Sequence, residues 1–205
     1  MDTSVLMQLK AYFAALDVHQ ATLNKDLVMT FDRGYWWCKS DVQLQKYEKD
    51  FLKKAKNFEA LEQGLTATQN VRDTALAVHL LGWSEEHGRV GVLLEKLATK
   101  EDGIIMNAAL RALFPKVATG RYAIPMSTVH RALHNRSLSV KNKALGMLVS
   151  VSDTVLESLL DDSDREYVHQ LTSHRDKPRV AILAQMLNDR ICITERTHAS
   201  TEQGT

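Results

Sequence analysis

The chain has 205 residues and a mass of 23.1 kDa, enough for a hydrophobic core in one domain or two small ones. With 44% hydrophobic and 25% charged residues it is not a largely disordered chain, and no window holds the 18 or more apolar residues of a membrane helix. Nine Gly and three Pro are too few for a many-turned β fold and favour long helices, while the net charge of +1 conceals an uneven distribution.

At the N-terminus, Val5, Leu6, Leu9, Phe13 and Leu16 predict an amphipathic helix. Gln8 and Lys10 interrupt its apolar run and no basic segment precedes it, so no signal peptide is expected. Leu23, Leu27, Val28 and Phe31 predict a second helix, and Asp32–Ser40, with Gly34, Tyr35, Trp36 and Trp37, reads as a connection. Asp41 can cap a long helix through Leu44, Tyr47, Phe51, Phe58 and Leu61. Residues 1–65 thus read as a helical cap. Trp36 and Trp37 offer an aromatic anchor for a partner, set against the ordinary expectation that they plug the core beneath the cap. Cys38 and Cys192 are far apart in sequence, so neither a disulfide framework nor a structural zinc site is expected, and free thiols suit a reducing cytoplasm.

From residue 66 a repeat emerges. VRDTALAVHLL (71–81) lies over IMNAALRALFP (105–115), VKNKALGMLVS (140–150) and PRVAILAQMLN (178–188). Ala75-Leu76, Ala109-Leu110, Ala144-Leu145 and Ile182-Leu183 share the central columns. Arg72, Lys141 and Arg179 share a basic column that holds Met106 in the second unit. Each motif reads as the second helix of a pair. Val90–Leu97, Met126–Leu133 and Tyr167–Leu171 supply first helices, with Pro125 suited to a first turn and Ser127 or Asp164 able to start a helix. The polar tail 194–205 lacks periodicity and is expected to be disordered.

Helix, polar turn, then Val-Arg-x-x-Ala-Leu resembles HEAT-like repeats over about residues 66–193. The resemblance implies an all-α fold: a short right-handed α-solenoid of ten to twelve helices with a divergent N-terminal cap, compact as one domain. It departs from the family at the Asp often found six residues before the basic column, where Thr66, Lys100, Asn135 and Ser173 stand. The family's members are mostly scaffolds, which makes a protein partner the first expectation.

Residues 103–152 hold Arg111, Lys116, Arg121, Arg131, Arg136, Lys141 and Lys143 and no acidic side chain. Residues 153–166 then hold Asp153, Glu157, Asp161, Asp162, Asp164 and Glu166 against Arg165 alone. Arg111, Arg121, Arg131, Arg136, Lys141 and Lys143 form a candidate basic face for an acidic protein or for nucleic acid, unless the acidic segment neutralises them. The nucleic-acid alternative includes the bacterial alkylpurine DNA glycosylases, which resemble this chain in scaffold, although none of their functional residues finds a match here. No nucleophile elbow or phosphate loop is present, so no catalytic residue and no cofactor are expected. His130 and His134 share a helix face, but no third ligand is evident and cations lie nearby, so no metal is expected. No membrane partner is implied.

Overall fold

The computed structural model describes residues 3–21, 29–32, 35–67, 70–98, 100, 102–174 and 176–202. Among them are eleven helices and one two-stranded hairpin, so the fold is all-helical but for that hairpin. No helix among the described residues is long and apolar enough to cross a membrane.

The chain divides into two compact units, Met1–Ala123 and Ile124–Thr205. The first unit begins with α1 (Thr3–Ala21), β1 (Met29–Asp32), β2 (Tyr35–Cys38) and α2 (Val42–Ala55). It continues with α3 (Phe58–Ala67), α4 (Val71–Leu81), α5 (His87–Ala98) and α6 (Gly103–Ala118). β1 and β2 pair antiparallel from Met29 opposite Cys38 to Asp32 opposite Tyr35. A strand therefore replaces the end of the expected second helix, and another replaces the expected connection; residues 23–28 lie outside the described part. Thr, Phe, Tyr and Trp suit a pleated, half-buried surface better than a helix. Asp41 caps α2 as expected, its carboxylate accepting from the Leu44 N–H at 2.8 Å. The expected long helix breaks, however, at Asn57, whose side chain accepts from the Ala60 N–H and starts α3.

Within this unit α4 packs on α6, α5 on α6, and α1 on α4 and α2. Leu9, Leu44, Phe51, Val78, Leu94, Met106 and Leu113 are fully buried between them. The Tyr12 ring meets Phe51 and Trp83 edge-on, with centroids 5.4 and 5.5 Å away, and Trp83 is buried.

The second unit holds α7 (Met126–Leu133), α8 (Leu138–Ser150), α9 (Asp153–Leu159), α10 (Asp162–Leu171) and α11 (Pro178–Glu202). α7 packs on α8, α8 on α11, and α10 on α11. Pro125 precedes α7 as its N-cap rather than occupying its first turn. Asp161, not Asp164, caps α10. α11 runs through Glu202, where a disordered tail from Thr194 was expected.

In three of the four motifs central residues are buried: Ala75, Ala109 with Leu110, and Ala144 with Leu145. The fourth is out of register. Ile182 is 60% exposed, and the residues that pack are Val180, Ala184, Leu187 and Ile191. Aligning Ala184 with Ala144 makes the last step 40 residues against 34 and 35 before it, and the short α9 accounts for the lengthening.

The motif helices are tied by cations donated to backbone carbonyls. On α6, Lys116 Nζ donates to Ser84 O at 2.8 Å and Gly82 O at 3.4 Å, just past the end of α4. On α11, Arg190 donates to Leu148 O at 3.2 Å, Val149 O at 2.7 Å and Val151 O at 2.9 Å, at the end of α8, and also meets Asp153. Each cation meets the carbonyls that a helix C-terminus leaves without intrahelical donors.

Candidate functional site

The six cations of the expected basic face fall in both units. Arg111 and Arg121 belong to the first unit, and Arg131, Arg136, Lys141 and Lys143 to the second. Arg111 is half-buried, its guanidinium 5.0 Å above the Phe13 ring. Lys143 is half-buried on α8, whereas Arg121, Arg131 and Arg136 are exposed. Lys141 is buried, its ammonium held by Leu133 O at 3.1 Å and by the Tyr167 hydroxyl. Lys116 is wholly buried, and burial pushes its pKa down to about 7. Its Nζ lies 3.3 Å from His87 Nδ1, and burial, then Lys116 and Arg121, push His87 down as well. The side chains of Trp36 and Trp37 lie outside the described part of the structure.

The cluster that the fold does assemble is His130, His134 and Asp164. His130 lies in the last turn of α7 and His134 is its C-cap, so the four-residue spacing sets both rings on one side. Their centroids are 4.5 Å apart. Asp164 enters from the third position of α10, placed there by the Asp161 cap, which accepts from its N–H at 2.8 Å. Its Oδ1 accepts from His130 Nδ1 at 2.9 Å and from His134 Nε2 at 3.1 Å. The carboxylate is fully buried and its Oδ2 has no hydrogen-bond partner, while the two imidazoles are 46% and 33% exposed. The Tyr167 ring stacks on His134 at 4.2 Å and carries the Lys141 contact, so a second layer orients the cluster. Asp164 is the residue the sequence did not offer as a ligand. It stands 34 residues after His130 on another helix, and that offset, close to the motif spacing earlier in the chain, was the available signal.

A second buried carboxyl lies in the first unit. Glu48 on α2 is wholly buried, and its Oε1 accepts from the Tyr12 hydroxyl at 2.9 Å and the Cys38 N–H at 2.8 Å. Burial pushes its pKa up to about 7 against the pull of those two bonds. Burial and the neighbouring Glu48 push the Tyr12 phenol well above its ordinary range. The group ties α1, α2 and β2 together. With no access from solvent, its role is structural.

No family model, no curated protein and no solved structure matches this chain.

Proposed function

We propose that the chain is a non-enzymatic scaffold of HEAT-like helical pairs that presents a helix face to a protein partner. One observation carries this reading: α11 is apolar on two opposite sides. Successive helix residues turn by about 100°. Val180, Ala184, Leu187 and Ile191 therefore share one side and are buried. Ile182, Met186 and Ile193 share the other, and they are 60%, 49% and 63% exposed. A helix apolar all round is ordinarily covered all round. Asp189 lies within the exposed stripe and Gln185 beside it, giving the mixed apolar and polar face typical of protein interfaces. Covering each large aliphatic side chain fully would contribute about 1.5–3 kcal/mol.

The basic window supports the nucleic-acid alternative less well. Lys116 and Lys141 are withdrawn into the interior, and the carboxylate of Asp164 engages both histidines of the window. Exposed cations are Arg121 on one unit and Arg131 and Arg136 on the other.

The test compares wild type with the double variant Ile182→Asp, Ile193→Asp in isotope-coded pull-downs from cell extract. Exposed positions tolerate such changes within about 0.5 kcal/mol, so the variant should fold. A protein captured by wild type and lost by the variant supports the reading. Equal capture by both refutes it. A parallel salt titration against labelled oligonucleotides would favour the alternative if binding is tight, falls steeply with salt and is lost on charge reversal of Arg131 and Arg136.

A further inference from the structure

We propose that His130, His134 and Asp164 form a binding site for a divalent first-row transition metal ion, with Zn(II) as the probe that reads it. The donor set is two imidazoles and a carboxylate, three protein ligands that leave a fourth position for water. The ligand-capable atoms all lie within 4.8 Å of one another. Oδ1 of Asp164 is 2.9 and 3.1 Å from the two ring nitrogens. Metal bonds of about 2.0–2.1 Å set neighbouring ligand atoms in a tetrahedron about 3.3 Å apart. The carboxylate–imidazole edges therefore need to open by a few tenths of an ångström, and the ring nitrogens to close around the ion. The two imidazoles, partly exposed at the end of α7, are free to supply that adjustment by side-chain rotation, while Asp164 is fixed in the interior.

The charge arrangement favours the ion. A fully buried carboxylate with one oxygen unpartnered is an incompletely compensated charge, which is costly in a protein interior. A divalent cation compensates it. It would also sit beside the C-terminus of α7, where the helix dipole favours positive charge. Lys141, which lies over the Tyr167 ring stacked on His134, is occupied by Leu133 O and the Tyr167 hydroxyl. On binding, each imidazole turns a lone pair rather than an N–H toward the centre. His130 then ligates through Nδ1 and keeps its proton on Nε2, and His134 ligates through Nε2 and keeps its proton on Nδ1. Protons compete for the same lone pairs, so affinity falls as pH falls.

The experiment is calorimetric titration of the chelator-stripped full chain with Zn(II), alongside the visible spectrum of the Co(II) form. His130→Ala removes a half-exposed ligand, Asp164→Asn keeps the shape of the buried one, and His174→Ala alters an exposed histidine elsewhere. Circular dichroism checks that each variant keeps its helix content. One equivalent should bind wild type and the His174 variant, with the intense visible bands of four-coordinate Co(II). His130→Ala should weaken binding by more than the roughly 10–100-fold that loss of a merely supporting residue costs. Should Asp164→Asn misfold, His130→Ala alone decides the matter. Absence of one-to-one binding by wild type overturns the proposal. So does binding that the folded His130→Ala variant retains at full strength.

Discussion

Glu48→Gln isolates the cost of a buried carboxyl. In the folded chain its pKa is raised from 4.5 to about 7, chiefly by burial, with Asp41 adding to the rise. Between those two pH values the folded state holds a proton that the unfolded state has lost, so stability falls as pH climbs through the interval and is level above it. The interval is worth about 3 kcal/mol at about 1.36 kcal/mol per pH unit. In the substitution the amide oxygen accepts the same bonds from Tyr12 and the Cys38 N–H. The amide nitrogen takes the place of Oε2, which has no partner, and so resembles the protonated acid. Variant and wild type should be nearly equal at pH 5, and the variant more stable by up to about 3 kcal/mol at pH 8. Urea unfolding followed by tryptophan fluorescence measures this in the right place, because Trp36, Trp37 and Trp83 all belong to the first unit. Stability curves that run parallel from pH 5 to pH 8 would refute the argument that Glu48 is desolvated.

Lys116 works in the opposite sense. Its folded pKa of about 7 lies below the ordinary 10.5, so the folded state is penalised wherever it must hold the ammonium, and stability rises as pH climbs between those values. Lys116→Met should abolish that rise, roughly 3–5 kcal/mol in fluorescence-detected unfolding between pH 7 and pH 10. A Cβ at Gly91 would lie 2.1 Å from Cδ2 of Tyr122, a ring tethered through its hydroxyl to Glu95. Gly91→Ala should therefore destabilise the first unit by about 1–3 kcal/mol, read as a lower Tm. Arg190→Met removes the donors to Leu148, Val149 and Val151. A loss of about 1–3 kcal/mol is expected, with faster amide exchange in the last turn of α8 while the first unit is unchanged.

The helices were legible wherever one apolar stripe faced one neighbour. Ala75, Ala109 and Ala144 stood out because a small residue recurs at steps of 34 and 35 residues, and all three are buried. α11 defeated the same logic. With Ile182 and Met186 on one side and Ala184 and Leu187 on the other, periodicity alone gives two registers, and packing against α8 and α10 selects the second. The hairpin was hidden because Leu27, Val28 and Phe31 imitate helical spacing, while strand pairing depends on residues across the turn. The site was half legible. His130 and His134 are visible as a pair, but Asp164 lies on another helix, and local spacing is silent about it. Its offset of 34 residues equals that between Lys116 and Gly82. Both contacts join helices that are distant in sequence, so an offset near the spacing of the sequence motifs is a guide to long-range contacts here.

The ties made by Lys116 and Arg190 have a consequence for sequence drift. A ladder of acid–base pairs has two mutable partners at every rung, and loss of either strands the other. Here the acceptors at Gly82, Ser84, Leu148, Val149 and Val151 are peptide carbonyls, which any substitution leaves in place. Each rung presents a single side chain as its mutational target, and a substitution at an acceptor position that the packing allows leaves the bonded oxygen in place. A chain built in this way keeps these helix-to-helix ties without any paired column of side chains.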